Sequence, residues 1–374
     1  MRLRDLGISV GDLRPGPLNA ITDVDGVRVG HTTLIEGDGP LKVGEGPVRT
    51  GVTIIVPHDG IGAEPLFAGC HRLNGNGELT GLEWVRESGQ LTTPIGLTNT
   101  HSVGVVRDAL VAADVGAHST GENYWSLPVV GETWDGLLND INGMHVKPEH
   151  VRWAIETAAG GPVAEGGVGG GTGMICHDFK GGIGTASRRL DPVDGGFTVG
   201  VIVQANYGDR RRLMADGVPI GREIPLEEVP SPYDDPRAGS GSIIAIVATV
   251  APLMPHQCRR LAQRAGLGIA RVGGAGEHSS GDIFLCFSTG NRGRLASYKV
   301  EQPATLVDLT VLPDTGITPL FWAVIEATEE AILNALIAAE TMTGRDGITA
   351  FGLDPDRLVA AMGRYGRGPR ASAS

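Results

Sequence analysis

The chain has 374 residues, 58 of them Gly, and 41% are hydrophobic. Its 31 basic and 43 acidic residues leave a formal net charge of −12, which speaks against nucleic acid or an anionic membrane as partner. The apolar content excludes a disordered chain, and the glycines lack the three-residue period of collagen.

Strand and helix patterns alternate along the chain. Runs rich in β-formers predict strands at 26–34 and 51–57, and helical spacing predicts helices at 103–115 and 148–159. Strands follow at 196–206 and 242–250; the latter carries no charge, as a strand covered on both faces would. A helix at 255–265 opens on Pro255 and is read as stopping before Gly266. Further strands are expected at 281–289 and 304–312. The longest helix is expected at 319–342, with Thr318 as N-cap, Pro319 in the first turn and Gly344 past the end. Its apolar stripe is Phe321, Ile325, Thr328, Ile332, Leu336 and Ala339. Glu329 and Glu330, beside Glu326, read as a solvated face. The tail 364–374 reads as disordered. Layered α/β (α+β) packing is the fold class these elements imply.

Cys70, Cys176, Cys258 and Cys286 lie far apart, which suits a reducing compartment rather than a disulfide framework or a zinc site. The N-terminus MRLRDLGISVG lacks an apolar targeting segment, and the longest apolar stretch, 243–254, is too short to span a bilayer. A soluble cytoplasmic protein is the expectation. Ten His form no HExxH, and His71 and His101 read as polar core or loop; no metal or cofactor is expected. Residues 160–184 hold eleven Gly but neither a P-loop nor a dinucleotide fingerprint, and Lys180 follows Phe179 rather than Gly. That block suits close approach of backbone to a nucleophile. The Ser in AHSTG (117–121) has no strand running into it, unlike a nucleophile elbow, and no SxxK exists.

Residues 221–241 contain four Pro and five acidic residues, expected to form a surface linker with nothing to pack a core. They lead directly into Ser242 and the most apolar strand. Two readings stand: a linker followed by a strand, or a processing site at Gly241–Ser242. In the second, cleavage leaves Ser242 with an α-amine whose ordinary pKa, about 8, suits a general base beside its own hydroxyl.

Nine blocks in order, among them ITDVDGVRVGHTT (21–33), AGCHRLNGNGELTG (68–81), LTNTHSVG (97–104), VVGETWDGLLNDI (129–141), VQANYG (203–208), GSGSII (239–244) and SSGDIFLCFST (279–289), run nearly the whole length. With them the chain resembles the autoprocessed N-terminal-serine hydrolases of the DmpA type, the D-aminopeptidase/esterase and β-peptidyl aminopeptidase family. The resemblance implies a four-layer α-β-β-α sandwich, of the kind shared with ornithine acetyltransferases. It implies a single catalytic domain, 1–374, cut into an α chain 1–241 and a β chain 242–374. Ser242 would be the nucleophile, with Ser280 and Asp282 orienting and deprotonating it. Asn206 would donate to the oxyanion, Glu132 would bind the substrate's ammonium group, and Trp134 would line the site. Substrates would be short peptides, amides or esters with a free amine, cut by a homo-oligomer, a tetramer of αβ units. Two departures are visible: Asp282 stands where some members have Glu, and Trp134 where the D-aminopeptidase branch has Tyr. The competing readings are an acyltransferase of the ornithine acetyltransferase type, and a non-catalytic small-molecule-binding scaffold.

Overall fold

Apolar residues on both faces of several strands require cover on both sides, and the fold supplies it with two stacked sheets and helices outside each. The computed structural model describes residues 1–117, 124–234, 241–295 and 306–369. The serine of AHSTG, residues 235–240 of the expected linker and residues 370–374 of the tail lie outside the described residues.

One sheet has the order β1-β2-β5-β6, formed by β1 (Arg28–Glu36), β2 (Val48–Val56), β5 (Ile95–Asn99) and β6 (Val129–Thr133). The other has the order β4-β3-β12-β11-β10-β9. Its members are β3 (Leu66–Arg72), β4 (Gln90–Leu91), β9 (Gly182–Arg189), β10 (Thr198–Asn206), β11 (Ser242–Thr249) and β12 (Asp282–Ser288). A small hairpin, β7 (Ile175–Cys176) and β8 (Phe179–Lys180), precedes β9. The helices include α1 (Leu82–Ser88), α2 (Val103–Gly116), α3 (Pro148–Glu156), α4 (Ile220–Glu223), α5 (Pro255–Val272) and α6 (Thr318–Ala338).

Ile55, Ile95 and Leu97 of the first sheet meet Ile244, Ile246 and Leu285 of the second in a core between the sheets. α2 and α3 cover the outer face of the first sheet through Val106 and Val151. α5 and α6 cover the second through Leu261, Ile269 and Val324. The fold is therefore the four-layer α-β-β-α sandwich. In β11 the even positions Ile244 and Ile246 face the other sheet, while Ile243, Ala245 and Val247 face the helices. This two-sided burial accounts for the uncharged run. Among the described residues no helix is long and apolar enough to cross a membrane.

Several local expectations change. Helix α5 runs through Gly266 to Val272 and ends at Gly273. Gly268 is a packing residue: a Cβ there would come within 2.6 Å of Thr328 Cβ on α6, so its absence lets the two helices close up. Helix α6 begins at Thr318 with Ile317 at the N-cap, where no side chain caps it, and ends at Ala338. Glu329 and Glu330 are fully buried, not a solvated face. Their charges meet Arg271, and Arg188 with Arg4, residues remote in sequence. The strand expected at 304–312 does not form over 306–312; Leu306 and Val307 are exposed there, and Thr310 bonds the Asn291 side chain instead of a ladder. The expected linker does contribute to the core: it includes most of α4, and Ile224 is 2% exposed.

Candidate active site

Topology gathers the functional side chains before any side-chain detail matters. β11 runs antiparallel to β10 and parallel to β12, with Ser242 opposite Asn206 and Ile243 opposite Asp282. The first residue of β11 thus lies between the last residue of β10 and the first of β12. In the other sheet, β6 lies parallel to β5 and brings Glu132 beside Thr98, close to Thr100.

Ser242 is 6% exposed, and its Oγ accepts a hydrogen bond from the Gly281 N–H at 2.9 Å. Ser280 Oγ donates to Asp282 Oδ1 at 2.5 Å, and the Ile243 N–H points at the same oxygen at 3.3 Å. Burial pushes the Asp282 carboxyl up to about 6, against the lowering effect of those two donors. Gly241 has φ +128°, and a Cβ there would come within 1.9 Å of the Asn206 carbonyl oxygen. Only glycine fits before Ser242, with its backbone pressed onto β10.

The Asn206 amide has a defined orientation. Oδ1 accepts from the Ile175 N–H at 2.8 Å, and Nδ2 donates to the Trp134 carbonyl at 3.0 Å. One partner can only donate and the other only accept, so the amide cannot be flipped without losing both bonds. Nδ2 keeps a second hydrogen for another acceptor.

Glu132 is 3% exposed. Its Oε1 accepts from the Glu78 N–H at 2.9 Å and its Oε2 from the Thr100 hydroxyl. Burial raises its pKa, Glu78 adds to the rise, and the two donors and His101 oppose it. This is a buried carboxylate held by neutral donors, a fitting receptor for an incoming cation. Glu132, Trp134, Gly241 and Ser242 line one cavity of about 530 Å³. Asn206 and Asp282, the latter bonded to Ser280, flank Ser242 at the strand ends without lining the cavity themselves.

All seven residues singled out in the sequence therefore converge. Reading the sequence missed Thr100, Glu78, Asn76, Ser279 and Tyr233, which together with Gly77 complete the lining. Four of these lie inside the quoted blocks LTNTHSVG, AGCHRLNGNGELTG and SSGDIFLCFST, where polar residues cluster in Gly-rich turns. Tyr233 lies in the segment expected to be a bare linker and carried no signal of its own.

Comparison with known proteins gives a consistent set. The sequence profile of peptidase family S58 matches residues 19–350. The β-peptidyl aminopeptidase BapA of Sphingosinicella microcystinivorans is 47% identical, covering 98% of this chain and 93% of that protein. The solved structure of a β-aminopeptidase from Burkholderia sp. superposes with a TM-score of 0.90 at 55% identity, covering 98% of this chain and 99% of the other. The L-aminopeptidase D-Ala-esterase/amidase of Ochrobactrum anthropi, described as a prototype serine aminopeptidase and a variant of the Ntn hydrolase fold, gives 0.88 at 43% identity, with 98% and 99% covered.

Proposed function

The chain belongs to peptidase family S58 and is an aminopeptidase that hydrolyses peptide or amide bonds, and we propose that it first cuts its own Gly241–Ser242 bond and then works through the Ser242 so freed. The acyltransferase and scaffold readings are set aside, because the relatives are aminopeptidases.

In self-cleavage Ser242 Oγ adds to the Gly241 carbonyl carbon. The C–N bond breaks, the Ser242 nitrogen takes the hydroxyl proton, and an ester joins the two parts. Water then hydrolyses that ester, leaving a carboxylate on Gly241 and an α-amine on Ser242. The products are an α chain, 1–241, and a β chain, 242–374. The observation that carries this reading is the juxtaposition at one sheet end: Ser242, with the positive-φ Gly241 before it, lies between Asn206 and Asp282.

In turnover, the Ser242 α-amine takes the Oγ proton as Oγ attacks the substrate carbonyl. Asp282, bonded to Ser280, supplies the negative charge that favours the protonated amine. The free Nδ2 hydrogen of Asn206 is the donor for the oxyanion, while the N–H of Gly281 holds Oγ itself. Glu132 pairs with the substrate's ammonium group, which sets the distance from the free amine to the bond cut. The proton passes from the α-amine to the leaving group, and water releases the acyl group from Ser242.

Substrates are short peptides, amides or esters with a free N-terminal amine. Among acyl groups we favour β-amino acids over L- and D-α-amino acids, on the strength of the named relatives. A homo-oligomer, a tetramer of αβ units, is proposed as well; exposed Trp153 and Trp322 on the outer helices supply surface for it. A cytoplasmic location fits the four buried, unpaired cysteines.

Intact mass and N-terminal sequencing of the purified protein test the reading. Two chains, one beginning at Ser242, are expected. A single chain of 38.9 kDa, stable for days at neutral pH, contradicts it.

A further inference from the structure

Lys180 closes β8 in the middle of the protein, fully buried. Its Nζ donates to the carbonyls of Gly181 at 2.8 Å, Met174 at 3.0 Å and Gly171 at 3.2 Å. Those three bonds use all the donors an ammonium group has. Among the described residues the charge is thus met by carbonyl dipoles, not by a carboxylate in contact.

One of these carbonyls stands out. Met174 C=O and Ile175 N–H belong to the same peptide group, and in a trans peptide they point in opposite directions. Lys180 Nζ and the Gly181 N–H hold its oxygen, at 3.0 and 2.8 Å. Its N–H holds Asn206 Oδ1 at 2.8 Å. A single planar unit therefore connects the buried ammonium to the amide of Asn206. A cation at the carbonyl end polarises the peptide and strengthens its N–H as a donor; the Asn206 amide is polarised in turn. The same bonds keep Nδ2 turned toward the Trp134 carbonyl, whose residue lines the cavity beside Ser242.

We propose that Lys180 is a positioning residue of the oxyanion site, acting through the Met174–Ile175 peptide to orient and polarise the amide of Asn206. The proposal rests on the role given above to Asn206. Burial lowers the Lys180 pKa to about 7, with Cys176 and Asp135 opposing the fall, so the ammonium and its polarising effect are fullest below that pH.

A double-mutant cycle on the full chain tests it. Lys180→Met is expected to lower kcat on an aminoacyl ester about 10–100-fold, part of the 10²–10³ typical for losing an oxyanion donor outright. KM should stay within about twofold, since Glu132 still reads the amine. In an Asn206→Ala background the same substitution should change kcat less than about threefold, because the group it acts through is gone. Equal losses in the two backgrounds, or no loss in the first, overturn the proposal. Lys180→Gln keeps two donors without the charge and serves if the Met variant does not fold; it should give a smaller loss that also vanishes in the Asn206→Ala background. Where a variant stays uncut, the rate of self-cleavage is read in the same cycle. An uncut and inactive wild-type chain refutes the proposed function itself, whereas an active wild type with a fully active Lys180→Met refutes this inference alone.

Discussion

Two buried clusters of charge treat their carboxylates in opposite ways. On the α6 side of the molecule, Arg188 reaches Glu330 at 2.7 Å and Glu326 at 3.2 Å. Arg4 adds a second contact to Glu330 at 2.8 Å, and Asn19 donates to it at 2.6 Å. Burial alone would raise the Glu330 pKa, yet the charges of Arg188 and Arg4 hold it below the ordinary value. At the end of β11, Asp282 and Glu132 are nearly as buried but meet hydroxyls and backbone N–H groups instead of cations. Their pKa values are raised. The first cluster is complete in itself and joins the N-terminal segment, β9 and α6. The second leaves its charge balance open, which is what the proposed pairing with a substrate's ammonium group requires. The contrast sets Glu330, whose charge is used up within the fold, apart from Asp282 and Glu132, to which the proposed reaction assigns theirs.

The comparison breaks most visibly at Arg188. Arg188→Met leaves Glu326 and Glu330 without their central cation and should cost about 3–5 kcal/mol in denaturant unfolding. A loss under about 1 kcal/mol means the cluster is not the structural one. Asp282→Asn should do the reverse. The amide keeps an acceptor for Ser280 and Ile243, so stability at pH 8 should hold or rise, while kcat falls at least about 100-fold. A variant that is destabilised and still active refutes the assignment.

Glu132→Gln sharpens the contrast. It should lower kcat/KM about 10–100-fold for substrates with a free amine, the worth of a charged hydrogen bond, and leave an N-acylated ester nearly unchanged. Equal losses for both would remove Glu132 from that role. The smallest effect is in pH. In its proposed role Asp282 acts as the carboxylate, so activity should drop as pH falls through about 6. The sign for stability is opposite: a raised carboxyl pKa contributes stability fully present below the unfolded value near 4 and lost as pH rises through about 6. Lowering pH from 7 to 5 should therefore stabilise the wild type relative to Asp282→Asn, by thermal melting at each pH.

Much of this site was legible in the sequence, because it is built from short blocks at strand ends. The uncharged run of β11 announced a strand buried on both faces, and the Gly before its first Ser marked the point of interest. What stayed hidden depends on distant partners. Glu329 and Glu330 sit at surface-like spacing on a helix, and nothing nearby in the chain discloses Arg188 or Arg4. Gly266 and Gly268 have the composition of a helix stop, but the closeness of α6 makes Gly268 a contact point. Residues 306–312 have strand composition, but Thr310 is tied to the Asn291 side chain and the Leu312 N–H to the Pro252 carbonyl instead of to a neighbouring strand. Lys180 drew notice only as a failed phosphate motif; its three carbonyl partners arise from how the Gly-rich segment folds back on itself.

The most direct test of the central claim is the mass of the C-terminal fragment after acid quench during turnover of an aminoacyl ester. The account predicts a fragment 242–374 heavier by one acyl group, with the adduct mapping to Ser242 and absent from Ser242→Ala. Turnover with no adduct at Ser242, or a Ser242→Ala protein of normal activity, would contradict it.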